Sequence, residues 1–333
     1  MNKTLLLLSL FATMLATNGY AVDDNTVEIF YSGTSATVTV AANIASYVSV
    51  ESGGSTHVKI KQSEDFAGID ATTDNPDGEI YYVLSGTTGD GEFYLEGAYK
   101  CTVELNGVSI TNPSGAALNL QNGKRVSVSA KKSKINTLTD GSNEDTNGCI
   151  HCKGHLKFKG KGTLNIVANS RHGVYSKEYL EIKNLTLNIS SAPKDGIHCK
   201  NYMLVESGTV SISSCGDDAM QVELDGTEST GITDGHEDED SGNFYHEGGT
   251  LNVTGCQGKA VKADGDISLT GGSRNFTAAD TEQHADIDAL KASASAAAGD
   301  RIIYDLQGRR TNAAKSGIYI VREGKEVRKV LVP

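Results

Sequence analysis

Cys149-Ile-His-Cys-Lys153, Gly173-Val-Tyr-Ser-Lys177, Gly196-Ile-His-Cys-Lys200, Ala219-Met-Gln-Val-Glu223 and Ala260-Val-Lys-Ala-Asp264 are one strand written five times. Their spacings are 24, 23, 23 and 41 residues, the last being one period plus an insertion of 18. Two further columns keep step. Leu156-Lys-Phe158, Leu180-Glu-Ile182, Met203-Leu-Val205 and Ile267-Ser-Leu269 form the second. Gly162-Thr-Leu-Asn-Ile166, Asn184 to Ile189, Gly208-Thr-Val-Ser-Ile212 and Gly249-Thr-Leu-Asn-Val253 form the third. Each alternates apolar and polar residues, the mark of a strand with one buried face.

A repeat of roughly 20–30 residues built from short strands is a solenoid signature. Three strands per coil predict an all-β chain, a right-handed parallel β-helix with coils of about 23 residues stacked about 4.8 Å apart. Ile150, Val174, Ile197, Met220 and Val261 then form one apolar column down the core. A leucine-rich repeat is excluded by the missing helices and Leu/Asn spacing; a β-sandwich is the competing architecture. Outside the repeat, Glu28-Ile-Phe-Tyr31, Thr37 to Val40, His57 to Ile60, Thr102 to Leu105 and Val126 to Val128 also alternate as strands.

Both ends of the 333 residues read differently. Leu5 to Leu15, with Lys3 before it and Gly19-Tyr-Ala21 after it, has the basic, apolar and small-residue order of a secretory signal peptide over residues 1–21. The mature protein is therefore expected to be secreted or held at the outer-membrane surface. No other apolar run is long enough for a membrane-spanning helix. Residues 281–299, rich in Ala, Ser and Asp, read as a linker that ends a β-helix domain over 22–280. The last segment is 300–333, and its residues 301–333 hold eight Lys/Arg against three Asp/Glu, although the whole chain carries −12. So acidic a chain, without a basic stripe on its main domain, does not suit nucleic acid.

Leu105-Asn-Gly-Val-Ser-Ile-Thr111, Asn136-Thr-Leu-Thr-Asp140, Gly196-Ile-His198 and Cys215-Gly-Asp-Asp-Ala219 resemble the carbohydrate-binding β-helix domain first associated with cellulose- and pectate-binding surface proteins of clostridia. The resemblance runs from about Val27 to Thr277. It implies a polysaccharide-lyase-like right-handed parallel β-helix, bound calcium and a polysaccharide partner. The family's Asp-Gly pair stands here as His172-Gly173 and Asp218-Ala219, with no acid before Cys149. The tail resembles the C-terminal sorting domain of the type IX secretion system of Bacteroidota, through Ile303-Tyr-Asp-Leu-Gln-Gly-Arg-Arg310, Ser316-Gly-Ile-Tyr-Ile-Val321 and Lys329-Val330. That implies the type IX machinery as a second partner; a hairpin capping the solenoid is the alternative.

Stacking also sorts the chemistry. Cys215 and Cys256 each stand four residues before the repeat position, so they fall about one rung apart and suit a disulfide. Cys152 and Cys199 are two rungs apart with Ser176 between them, and read as buried thiols. Asp195 and Asp218 share a column on adjacent coils, with Asp217 beside the second. Carboxylates so close repel unless a cation intervenes, and Ca2+ held by Asp195, Asp217 and Asp218 is one solution. The other is protein-borne: His172 precedes Asp195 in the column and Lys259 follows Asp218. The insertion carries Asp234, Glu237, Asp238, Glu239 and Asp240, either a second site or a solvated loop.

If Ile150 and its equivalents point inward, their neighbours point outward. His151, Tyr175, His198, Gln221 and Lys262 then make an aromatic and polar ladder, with Lys153, Lys177 and Lys200 as a basic one beside it. Two rungs, about 10 Å, suit a disaccharide repeat, so an extended uronate-containing or cell-wall glycan fits along the axis. Catalysis is the weaker reading. Gly216-Asp-Asp218 resembles polygalacturonases, but His172-Gly173 precedes the aspartates instead of following them and no Arg-x-Lys follows. A pectate-type lyase could use Lys194 or Lys200 as its base, yet no arginine stands in the neighbouring strands to clamp a substrate. A non-catalytic structural adhesin is the third reading.

Overall fold

The computed structural model describes residues 22–51, 54–142, 145–226 and 239–277, and in the tail 301–304, 310–311, 317–323 and 326–332. The signal peptide, the linker and Asp234, Glu237 and Asp238 lie outside the described residues.

The chain winds as a parallel β-helix, and the three columns are those in the sequence. The first runs from His57–Gln62 through Glu92–Gly97, Leu118–Asn122, Gly148–Cys152, His172–Ser176, Ile197–Lys200 and Met220–Glu223 to Val261–Ala263, all in parallel register. The second runs from Val126–Ala130 to Ile267–Leu269 and the third from Ile135–Thr139 to Ser273–Phe276. One strand of the second column escaped the sequence reading. Asn243–His246 lies between Tyr202–Val205 and Ile267–Leu269, immediately after the 18-residue insertion that hides its period.

At the N-terminal end the last two columns fuse. Cys101–Thr111 is a single strand of 11 residues whose first half pairs with Val126–Ala130 and whose second half pairs with Ile135–Thr139. Gly107, at φ +77°, marks the place where it divides. Buried Asn136 holds that point: its Oδ1 accepts from Gly107 N and Val108 N at 2.8 and 3.1 Å, and its Nδ2 donates to Thr163 O. Two of the motifs that carried the resemblance therefore build one junction.

Alternation explains the core. Val58, Phe93, Leu118, Ile150, Val174, Ile197, Met220 and Val261 are stacked and buried. Ser176, a polar residue in that interior, donates its hydroxyl to Gly154 O at 3.0 Å, so it leaves no unsatisfied group. Cys152 and Cys199 flank it as free buried thiols, and Cys215 and Cys256 are joined as a disulfide across adjacent coils, with Cα atoms 4.3 Å apart.

The corners before the first-column strands show what the glycine and the acid of an Asp-Gly pair each do. A Cβ on Gly173 would lie 2.6 Å from Gly196 O, and one on Gly196 would lie 2.7 Å from Ala219 O. The acid ties coil to coil: Asp195 Oδ1 accepts from Asp218 N at 3.0 Å, and Asp218 Oδ1 from Lys259 N at 2.7 Å. On the third column, Asn188 bonds Asn165 and Asn275 bonds Asn252, an amide ladder in step with the backbone.

The described tail residues form an antiparallel four-stranded sheet, ordered 310–311, 301–304, 317–323, 326–332. No helix among the described residues is long and apolar enough to cross a membrane.

Crowding at the corner makes a direct prediction. Gly196→Ala should lower unfolding free energy by about 1–3 kcal/mol through overpacking. Gly123→Ala, with nothing within 4 Å of the added methyl, should change little. Urea denaturation of both variants measures the difference.

Candidate functional site

The first column presents one continuous outward ladder: Lys59, Tyr94, Asn119, His151, Tyr175, His198, Gln221 and Lys262 are in register. Its aromatic centre is stacked as expected. His151 and Tyr175 have ring centroids 5.4 Å apart at 20°, and Tyr175 and His198 repeat this at 5.4 Å and 21°.

Two parts of the expected surface are corrected. His198 and Gln221 are only 7 % and 8 % exposed, not open to a ligand. His198 is wedged 4.7 Å from the His172 ring and its Nδ1 lies 3.0 Å from Asp195 Oδ2, while Gln221 Nε2 donates to Glu223. The basic ladder is also shorter than expected. Lys153 and Lys177 are exposed, but Lys200 Nζ is 3.0 Å from Asp225 and its neighbour in register is Glu223. The open platform is instead His151 and Tyr175 continued through Asn119 and Tyr94, all half-buried. Sequence reading missed the last two because the loops on either side of Leu118–Asn122 break the period.

Burial pushes the His151 pKa down to about 4, and its Nδ1 accepts from Asn147 N at 3.0 Å. The ring is a neutral flat surface at neutral pH.

Below the ladder lies the carboxylate cluster. Asp195, Asp217 and Asp218 each bring one oxygen within 4.8 Å of the others. Asp195 and Asp218 are buried and Asp217 is exposed. Protein-borne partners for the carboxylates are already present. His172 Nδ1 and His198 Nδ1 lie 3.1 and 3.0 Å from Asp195 Oδ2. Burial alone would raise the Asp195 pKa, but the bonds from these two imidazoles hold it well below the usual carboxylate range. Lys259 contributes only its backbone N–H; the ammonium facing Asp218 Oδ2, at 3.2 Å, belongs to Lys262. The three carboxylates suit a hard cation in their chemistry. An ion bound by Asp218 would displace Lys262, and Asp195 would have to share its oxygens with two imidazoles.

In the insertion, Glu239 and Asp240 are buried rather than solvated. Glu239 accepts from Tyr245 and Asn243, and Asp240 from Asp225 N. Near Lys194 an arginine does stand, at the corner: Arg171, whose Nη1 donates to Asn147 Oδ1 at 2.8 Å.

A second feature had no place in the sequence reading. On the second column, Glu79, Arg125 and Lys159 line a groove of about 340 Å³, with Thr102 buried behind them and bonded to Glu79 and Lys159. Glu79 comes from one coil, Arg125 and Lys159 from others, and no fixed spacing links them.

These features define a parallel β-helix with a ring-bearing outer face and an acidic corner. A family model for carbohydrate-binding domain-containing proteins matches residues 71–318, and the chain belongs to that family. A carbohydrate-binding domain-containing protein of Acetivibrio thermocellus is 28 % identical over 111 residues, covering 30 % of this chain and 39 % of that relative. In fold the chain is similar to a solved polysaccharide lyase-like protein from C. thermocellum, a gadolinium derivative, with a TM-score of 0.55 and 20 % identity, over 76 % of this chain and 97 % of the other.

The lowered His151 pKa has a measurable consequence. In the unfolded chain an imidazole takes its proton near pH 6.5. Stability due to this ring's neutrality is therefore present above that pH and is lost as pH falls toward about 4. His151→Gln should flatten the decline in melting temperature between these limits, measured by thermal denaturation across the range.

Proposed function

We propose that this protein is a non-catalytic binding module for an acidic or cell-wall polysaccharide, held along the first column of the β-helix. The observation that carries the reading is the pair of open rings His151 and Tyr175, stacked on adjacent coils and backed by buried His198. A glycan lying along the axis meets the open edges of the His151 and Tyr175 rings on successive rungs, with Asn119 and Tyr94 extending the track. Exposed Lys153 and Lys177 at its edge favour a uronate over a neutral chain. Membership of the carbohydrate-binding family supports the same partner class.

Elimination chemistry is supported less well than binding. Lys200, one of the two candidate bases, has its pKa raised chiefly by its hydrogen bond to Asp225, which keeps it protonated. A general base must be free to take a proton.

The proposal extends to calcium at Asp195, Asp217 and Asp218, in competition with Lys262, and to export by the signal peptide with sorting by the basic tail. Calcium would link three carboxylates on two adjacent coils and so stiffen the corner beneath the ladder. Peptide mapping of the exported protein, with cuts after Ala21 and near residue 280, is the outcome expected of the sorting reading; an intact tail would oppose it.

Two measurements test the binding site itself. Tyr175→Ala with Lys177→Ala should weaken retention on pectate about tenfold or more, while ultraviolet absorbance reports no unsaturated product. Undiminished retention would move the site off this face. Separately, calcium should raise the melting temperature of the wild type, and Lys262→Met should bind the ion more tightly. If chelation shifts neither melting curve, the His172–Asp195 and Lys262–Asp218 pairs are the complete account of the cluster.

A further inference from the structure

The groove on the second column has an uncompensated charge at its centre. Glu79, 5 % exposed, sits between two cations. The Arg125 guanidinium bonds its Oε1 through Nη2 and donates to Ser127 Oγ through Nη1. Oε2 accepts from the Thr102 hydroxyl at 3.2 Å. Lys159 Nζ reaches only the Thr102 oxygen, at 3.4 Å.

Other ammonium groups along this groove have carboxylates: Lys157 pairs with Glu181 at 3.0 Å, and Lys183 with Glu206. Lys159 has no ion pair of its own among the described residues, so the Glu79, Arg125 and Lys159 trio carries a local surplus positive charge, although Asp74 and the Lys100-paired Asp77 also line the groove. Burial lowers the Lys159 pKa and Glu79 offsets only part of that, so the ammonium stands partly desolvated. Such a group is costly unless an anion completes it.

The surroundings describe the anion. Tyr81, Thr102, Ser127, Lys157 and Glu181 are in register on successive coils, so the groove runs along the helix axis. Its walls offer the Tyr81 phenol and carboxylates for sugar hydroxyl groups, while the buried Thr102 and Ser127 hydroxyls are already bonded to Glu79 and Arg125. We propose that this groove is a second glycan subsite, in which Lys159 and Arg125 receive the carboxylate of a uronate residue while the neighbouring polar wall holds its ring. The inference rests on the protein's being a binder of acidic glycans but uses a different face, so one chain can engage two polysaccharide strands. Carboxylate recognition here is charge-assisted, and an ammonium contact of this kind is worth about tenfold or more in affinity.

The test uses the full mature chain and separates this face from the ladder. Lys159 is labelled with an amine-reactive reagent and followed by peptide mass spectrometry, with galacturonate or galactose as competitor. Galacturonate should slow Lys159 labelling several-fold and galactose should not, and the protection should persist in Tyr175→Ala. Lys159→Met, checked for an unchanged melting curve, should weaken oligogalacturonate binding about tenfold and leave a neutral cello-oligosaccharide unaffected, with Lys159→Arg restoring most of the affinity. Equal protection by both sugars, or none by galacturonate at concentrations that saturate the chain, would overturn the proposal. Loss of protection in Tyr175→Ala would also overturn it, because the two faces would then be one site. Persistence of protection with no binding at the ladder would instead remove the first-column reading and leave this one standing.

Discussion

Everything in this protein hangs on the spacing of parallel backbone hydrogen bonds. Successive coils lie about 4.8 Å apart, and each residue in a strand must stack on its counterpart in the next coil. Inward positions become an apolar column that no single coil could bury by itself. Outward positions become ladders, so whatever side chain occupies one rung meets its neighbour directly. His151, Tyr175 and His198 are stacked rings for this reason, and Asn165 and Asn188 are paired amides for the same one. The Cys215–Cys256 bridge follows equally, since two thiols one rung apart are already at bonding distance.

The same spacing creates liabilities that the chain answers locally. Stacking acids one rung apart would repel, yet Asp195 and Asp218 are both buried at one corner. Each gives an oxygen to the backbone N–H of the coil above, and each has a cationic or imidazole partner on its other oxygen. The cluster is thus a clasp between coils before it is anything else. The resemblance implies calcium at such a corner; here His172, His198 and Lys262 occupy the positions from which a cation would be drawn in. A metal at this corner would compete with the protein's own charges.

Fold was legible in the sequence wherever the period was kept. Three strand columns, the inward residues, the free thiols and the disulfide followed from counting, because a parallel stack converts sequence spacing into spatial register. The period failed at two places. The insertion hid Asn243–His246, and the 11-residue strand Cys101–Thr111, which serves two columns, has no counterpart in the later coils. Site reading succeeded for ring stacking and failed for exposure. His198 sits in the ladder in register but its bond to Asp195, three residues earlier, draws it under cover. The Lys200 ammonium is paired with Asp225, a residue on the next coil that no periodic column contains. The Glu79, Arg125 and Lys159 groove was invisible for a related reason: its members come from the ends of different strands and meet only through the winding of the coil.

The central claim is that ring stacking on the first column is a glycan track. Footprinting tests it most directly: carbene or hydroxyl-radical labelling of the mature protein with and without saturating oligogalacturonate, read by peptide mass spectrometry. Protection of the peptides carrying Tyr94, Asn119, His151 and Tyr175, running along the helix axis across consecutive coils, is the predicted result. Protection confined to the third-column ladder at Asn165, Asn188 and Asn252, with the first column labelled as in the free protein, would contradict it.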